Sequence, residues 1–89
     1  MFRLWGKIWT ENRLVTDITI CDDSNDTRTH KIFRGLDEIC VKLDLGKPIW
    51  LDANIRDFQR HSKTRFTQDS FIEHIDFDFL EIQVIEEDD

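Results

Sequence analysis

Apolar and polar residues alternate at the start of the chain, and the spacing changes to threes and fours near its middle. In residues 2–9, Phe2, Leu4 and Ile8 share one parity, with Gly6 among them, and Trp5 and Trp9 share the other. In residues 14–21, Leu14, Ile18 and Ile20 point one way and Thr19 and Cys21 the other. Period-two alternation rich in β-branched residues predicts two strands. The polar residues 10–13 between them make the pair a β-hairpin.

Further on, Ile32, Phe33, Leu36, Ile39, Cys40 and Leu43 recur at helical spacing, which predicts a helix with one buried stripe. Asp26 or Thr27 can accept from its first free N–H groups. Gly46 is expected as its left-handed cap and Pro48 as its stop. Residues 48–51 (PIWL) read as a short strand with Pro48 at its first position. Asp52 can cap a second helix that starts at Ala53 and turns Ile55 and Phe58 inward.

Residues 62–67 fit either a loop or a short extended piece. Residues 68–75 could form one or two helical turns presenting Phe71, Ile72 and Ile75. Residues 76–86 read as the strongest strand, with Phe77, Phe79 and Ile85 on one face and Leu80, Ile82 and Val84 on the other. The acidic residues 86–89 read as a frayed tail. The predicted order is β-β-α-β-α-β: a single α+β domain over residues 1–89, a mostly antiparallel sheet with helices packed on one face.

That architecture leaves a surplus. The first and last strands are apolar on both faces, whereas a sheet covered by helices on one side needs only one apolar face. Trp5, Trp9, Phe77 and Phe79 therefore call for a second cover. The second helix or residues 62–75 could wrap round to supply it. The other candidate is a partner surface, either a second copy of the chain or another protein, because aromatic clusters commonly anchor such contacts.

Charge modifies this picture. Charged residues make up 35% of the chain, against roughly a quarter in an average globular protein. Seven Phe and three Trp nevertheless take it out of the disordered class. The net charge of −7 would, if evenly spread, disfavour nucleic acid and anionic membranes as partners. It is not evenly spread. Residues 73–89 hold no Lys or Arg, while residues 56–65 hold Arg56, Arg60, Lys63 and Arg65 against the single Asp57. With His61, and with Phe58 and Phe66 close in sequence, these cations suit phosphate contact plus base stacking. A solvated face, or pairing with the chain's own carboxylates, explains them more simply, because four positive charges are too few to be specific.

Signals for catalysis are sparse. Asp76 and Asp78, two apart on the predicted strand, would point to one side as a carboxylate pair. Asp22, Asp23 and Asp26 suit turn and cap duty. His30, His61 and His74 fall in no zinc-ligand pattern. No nucleophile elbow, phosphate loop or dinucleotide motif is present, so no cofactor, metal or catalytic residue is assigned. Cys21 and Cys40 are too few for a disulfide framework and read as buried thiols. The opening residues carry charges that a signal peptide's apolar core would exclude, and no apolar run approaches a membrane span. A cytoplasmic location without membrane association is the expectation.

The strings DTRTHKIF, LGKPIWLDANI and RHSKTRFTQDSFIEHIDFDFLEIQVIEED resemble a group of short, acidic bacterial proteins of unknown function. The resemblance covers nearly the whole chain and brings no activity, cofactor or site residue with it. Three functions remain open. The first is a non-catalytic protein-interaction module, homodimeric in one version, using Trp5, Trp9, Phe77 and Phe79. The second is nucleic-acid binding through residues 56–66. The third is a small metal-dependent enzyme acting on a phosphate-containing substrate, with Asp76, Asp78, His61 and Arg60 at its site.

Overall fold

A computed structural model describes residues 1–87. The hairpin forms where the alternation places it, with longer strands and a tighter turn. Strand β1 (Phe2–Thr10) pairs antiparallel with β2 (Arg13–Asp22). Only Glu11 and Asn12 separate them, both at positive φ (52° and 63°). Left-handed backbone at both central residues is what a two-residue type I′ hairpin turn requires. The predicted four-residue interruption shrinks because Thr10 and Arg13 pair with each other.

Helix α1 (Arg28–Lys42) starts at Thr27, whose Oγ1 accepts the His30 N–H at 3.2 Å. Its end differs from expectation. Asp44, not Gly46, takes the left-handed conformation (φ 57°). Gly46 serves another need. Its N–H donates to Glu73 Oε1 at 2.7 Å, so close that a side chain there would collide with the carboxylate.

The predicted strand at 48–51 does not form. Pro48 is buried and Trp50 turns inward, so these residues cross as irregular backbone to α2 (Asp52–His61). Asp52 is the first helical residue and not the cap. Asn54 Oδ1 reaches back to accept the Leu51 N–H at 3.0 Å. The ambiguous stretch resolves into strand β3 (Lys63–Phe66), followed by a single 3₁₀ turn, Gln68–Ser70. Strand β4 (Phe79–Glu86) begins three residues later than predicted, because residues 76–78 form a bend.

The observed order is therefore β-β-α-α-β-β, and the α+β class holds: one four-stranded antiparallel sheet, ordered β2-β1-β4-β3, with two helices. Both helices pack on one face. There Phe2, Leu4, Ile8, Ile20, Phe66, Leu80 and Ile82 meet Ile32, Leu36, Ile39, Cys40 and Phe58 in one core. Trp50 joins it edge-on to Phe58 and Phe66, with ring centroids 5.7 and 5.0 Å away.

Helix α1 packs closely on β1 because each element turns a glycine to the other, Gly35 from α1 and Gly6 from β1. A Cβ on Gly6 would stand 2.8 Å from Ile39 Cγ2, and one on Gly35 would stand 2.9 Å from Leu4 Cδ2. Overfilling a packed core costs about 1–3 kcal/mol. Gly6→Val is expected to lose at least that much, read as a lower urea midpoint, while Gly6→Ala, which adds a single methyl against buried Ile39, loses less.

Two expectations about the ends and thiols change. Of the expected acidic tail, Glu86 ends β4 in an ion pair with the N-terminal ammonium (3.3 Å) and Glu87 bonds Arg28; Asp88 and Asp89 lie outside the described residues. Cys40 is buried, but Cys21 is exposed. Burial, aided by nearby Asp37, pushes the Cys40 thiol up to about 11 and keeps it protonated at neutral pH. No helix among the described residues is long and apolar enough to cross a membrane.

Candidate interaction surface

The face of the sheet opposite the helices is built by the odd-numbered residues of β1, β3 and β4. Cross-strand register assembles them into rows. Asp17, Lys7, Glu81 and Arg65 stand side by side across all four strands, a row of alternating charge. Thr19, Trp5, Gln83 and Lys63 form the next row on one side. Leu14, Trp9 and Phe79 form the row on the other.

The centre of the charged row is buried although no helix covers it. Lys7 Nζ and Glu81 Oε1 are 3.0 Å apart, with only 8% and 6% of their side chains exposed. Lys7 also donates to Gln83 Oε1 (3.1 Å), Trp9 Nε1 donates to Glu81 Oε1 (3.2 Å), and Arg65 Nε donates to Glu81 Oε2 (3.1 Å). Burial raises the pKa of Glu81, but hydrogen bonds and charge from Lys7 and Arg65 outweigh it and hold the carboxyl below its ordinary value.

The aromatic rings shield this pair, and cations shield the rings. Lys7 Nζ lies 3.9 Å from the Trp5 ring centroid, and the Arg65 guanidinium 4.5 Å from that of Phe79. Trp5 Nε1 donates to Asp17 (2.8 Å), which fixes the indole across the β1–β2 boundary. So α2 does not supply the second cover, and residues 62–75 supply it only in part, through Arg65 of β3 over Phe79. Long cationic side chains from the strands themselves lie over the rings, as snorkelling residues do. The cover is partial: Trp5, Trp9 and Phe79 remain half-buried, with exposed Leu14 beside them.

Phe77 does not belong to this face. It sits in the bend before β4 and packs edge-on to Phe71, 5.9 Å between centroids, against the core. The basic segment also divides. Arg56 and Arg60 are exposed on α2, on the side away from buried Asn54 and Phe58. His61, Lys63 and Arg65 line a small hollow of about 200 Å³ with Asp57, Thr64 and Glu81. Of these, Lys63 and Arg65 belong to the open face of the sheet, where Lys63 stands beside Gln83 and Arg65 lies over Phe79.

The carboxylate pair dissolves. Asp78 accepts the Glu11 N–H (2.8 Å) and thereby braces the hairpin turn, while Asp76 is fully exposed 3.7 Å from His74. Both precede β4. His61 ends α2 beside Ser62, whose C=O accepts the Val84 N–H near the other end of β4, so the four residues of the enzyme reading do not converge. Among the described residues no three His, Cys, Asp or Glu side chains gather as metal ligands. Asp22 and Asp26 share Arg34, and its hydrogen bonds, with those from Ser24 to Asp22 and from His30 to Asp26, hold both carboxyls low.

The sequence reading missed Lys7 and Glu81 at the centre of this face. Their signal was present: each interrupts the aromatic parity of its strand, Trp5-Lys7-Trp9 and Phe79-Glu81-Gln83. It also missed an apolar groove of about 330 Å³ between α1 and α2, where Phe33, Trp50 and Ile55 line the walls. Comparison of the chain with family models, with characterised proteins and with solved structures finds no match.

Proposed function

We propose that this chain is a non-catalytic protein-interaction module of the cytoplasm that receives its partner on the helix-free face of the sheet. The observation that supports this is the packing of that face. Trp5, Trp9 and Phe79 surround a buried Lys7–Glu81 pair, yet no element of the chain lies over them. Half-exposed aromatic rings around satisfied polar groups are what the centre of a protein interface offers. The rings are already held in place by Asp17, Glu81, Lys7 and Arg65, so a partner pays little ordering entropy to dock on them.

A photo-crosslinking residue placed in turn at Leu14 and Lys63, on the open face, and at Glu38 and Gln59, on the helices, tests the reading in cells. Defined protein adducts are expected from the first two sites and not from the last two. Adducts confined to the helix sites would overturn it.

One observation favours a second reading, single-stranded nucleic acid on the same face. β3 carries Lys63 into the row of Trp5 and Arg65 over Phe79, so cations and rings lie on one open sheet face. The net charge of −7 and the engagement of Arg65 by Glu81 count against it. It predicts salt-dependent binding of single-stranded oligonucleotides that weakens when Lys63 and Arg65 become Ala, with Arg56→Ala and Arg60→Ala having no effect. No binding at low salt would exclude it.

A further inference from the structure

The two edges of the sheet are finished differently. β3 is a short edge of four residues, and α2 tends it: Asn54 Nδ2 donates to the outward Arg65 C=O at 2.9 Å. β2 is a ten-residue edge, exposed over nearly its whole length, with neither Lys nor Pro in it. Long, uncovered edge strands are normally blunted by such residues, because their free N–H and C=O groups template pairing with another strand.

Which groups are free follows from the ladder. The Val84 N–H donates to the Ser62 C=O at 2.9 Å, so the even residues of β4 bond toward β3 and its odd residues toward β1. Alternation then turns Trp5, Lys7 and Trp9 toward β4, and Leu4, Gly6 and Ile8 toward β2. Their mates Ile20, Ile18 and Thr16 face inward. The N–H and C=O groups of Asp17, Thr19 and Cys21 therefore point out of the open edge. No backbone bond outside the ladder reaches them among the described residues.

From this edge we infer that the chain self-associates, with β2 pairing antiparallel to β2 of a second copy about a two-fold axis at Thr19. Charge chooses the occupant and the register. An axis at Asp17 would set two carboxylates face to face, which is repulsive. An axis at Ile18 would pair the bulged residue Val15, where the β1–β2 register already slips. An axis at Thr19 uses the unbroken stretch 16–22, sets Ile18 against Ile20 on the helix side and Asp17 against Cys21 on the other.

In that register Arg13, past the bulge at Val15, lies diagonal to Asp23 of the second copy, twice per dimer, so the strand ends bring opposite charges near each other. Neither residue has a salt-bridge partner among the described residues. The helix layer agrees. Arg34 of α1 reaches out to Asp22 at the end of β2, and Val41, seven residues on along the same stripe of the helix, is 78% exposed. A two-fold axis at this edge places the α1 helices of both copies side by side and gives Val41 a cover. The result is one eight-stranded sheet. The inference concerns the sheet's edge and does not rest on the proposed use of its face.

A strand pair with one helix stripe is at the small end of specific interfaces, so the mass is read at about 1 mM chain, where a contact of millimolar affinity is half formed. Light scattering on the full chain is expected to give a mass rising from 10.7 kDa toward twice that value. Thr19 is exposed, so Thr19→Lys and Thr19→Asp should each fold, put like charges on the axis and weaken association about tenfold or more. An equimolar mixture of the two should restore the dimer. Thr19→Pro removes only an outward N–H and should also give a folded monomer. A wild-type chain that stays monomeric overturns the proposal and leaves the edge to a foreign extended segment. So does a dimer that both charge variants retain, or one that their mixture fails to restore.

Discussion

Lys7→Met is expected to destabilise the fold by about 3 kcal/mol, the low end of the cost of stripping one partner from a buried ion pair. The substitution fills the same space but leaves the Glu81 carboxylate under the rings of the open face with Arg65 as its remaining cation. The double variant Lys7→Met with Glu81→Met should recover most of the loss, because no buried charge is left uncompensated. Urea unfolding of the three chains measures this. A single variant as stable as the wild type would mean that water reaches Glu81 freely.

The pH dependence gives the same prediction a sign. Glu81 has a folded pKa below its ordinary value, so its contribution is complete above the unfolded value of about 4.3 and fades as the pH falls through the folded one. Asp22, held low by Ser24 and Arg34, behaves alike. The wild type should therefore keep its stability down to about pH 4 and lose it below. In Lys7→Met the burial of Glu81 is opposed only by Arg65 and the Trp9 N–H, so the loss should start at a higher pH.

The second large effect is in the core. Phe66 is fully buried at the end of β3, edge-on to Trp50 and paired in register with Leu80. Phe66→Ala should cost about 3–5 kcal/mol, the usual range for emptying an aromatic site in a core. For a chain of this size that approaches the whole stability, so circular dichroism should show partial or complete unfolding at room temperature. Ile72→Ala, by contrast, removes an exposed side chain and should leave the melting temperature unchanged.

Phe66 also shows where the sequence stopped being legible. β1 and α1 were readable because their burial is periodic: Leu4 and Ile8 against Trp5 and Trp9, or Ile32, Leu36, Ile39 and Cys40; in β2 the bulge at Val15 breaks the parity and carries Leu14 to the face opposite Ile18 and Ile20. β3 was not readable, because four residues with one intervening charge, Arg65, give no usable period, and its strand character comes from pairing with β4. Pro48–Trp50 misled in the opposite way. An apolar, β-rich triplet looks like a strand, yet Trp50 is drawn out of the sheet by the hole between α1, Phe58 and Phe66.

The surplus of aromatic residues on two faces was readable, and it led to the open sheet face; its content was read in part. Trp5, Trp9 and Phe79 do share that face, whereas Phe77 leaves it because the bend at 76–78 breaks the parity that would have carried it there. The polar centre stayed hidden because Lys7 and Glu81 are distant in sequence and meet only through the β1–β4 register. The basic run 56–65 looked like one patch because it is contiguous. A helix end and a strand start divide it between two sides of the molecule.

What remains to be measured is whether the sheet's helix-free face is open in solution. Paramagnetic relaxation from a neutral, soluble gadolinium chelate, read by NMR on the dilute isotope-labelled chain, reports this residue by residue. Strong enhancement is expected at the side chains of Leu14, Thr19 and Lys63 and at the indole protons of Trp5 and Trp9, with the methyls of Leu4, Ile39 and Leu80 untouched. Indole protons of Trp5 and Trp9 as silent as those core methyls would show the face sealed by the chain itself, and no partner would have a surface there to bind.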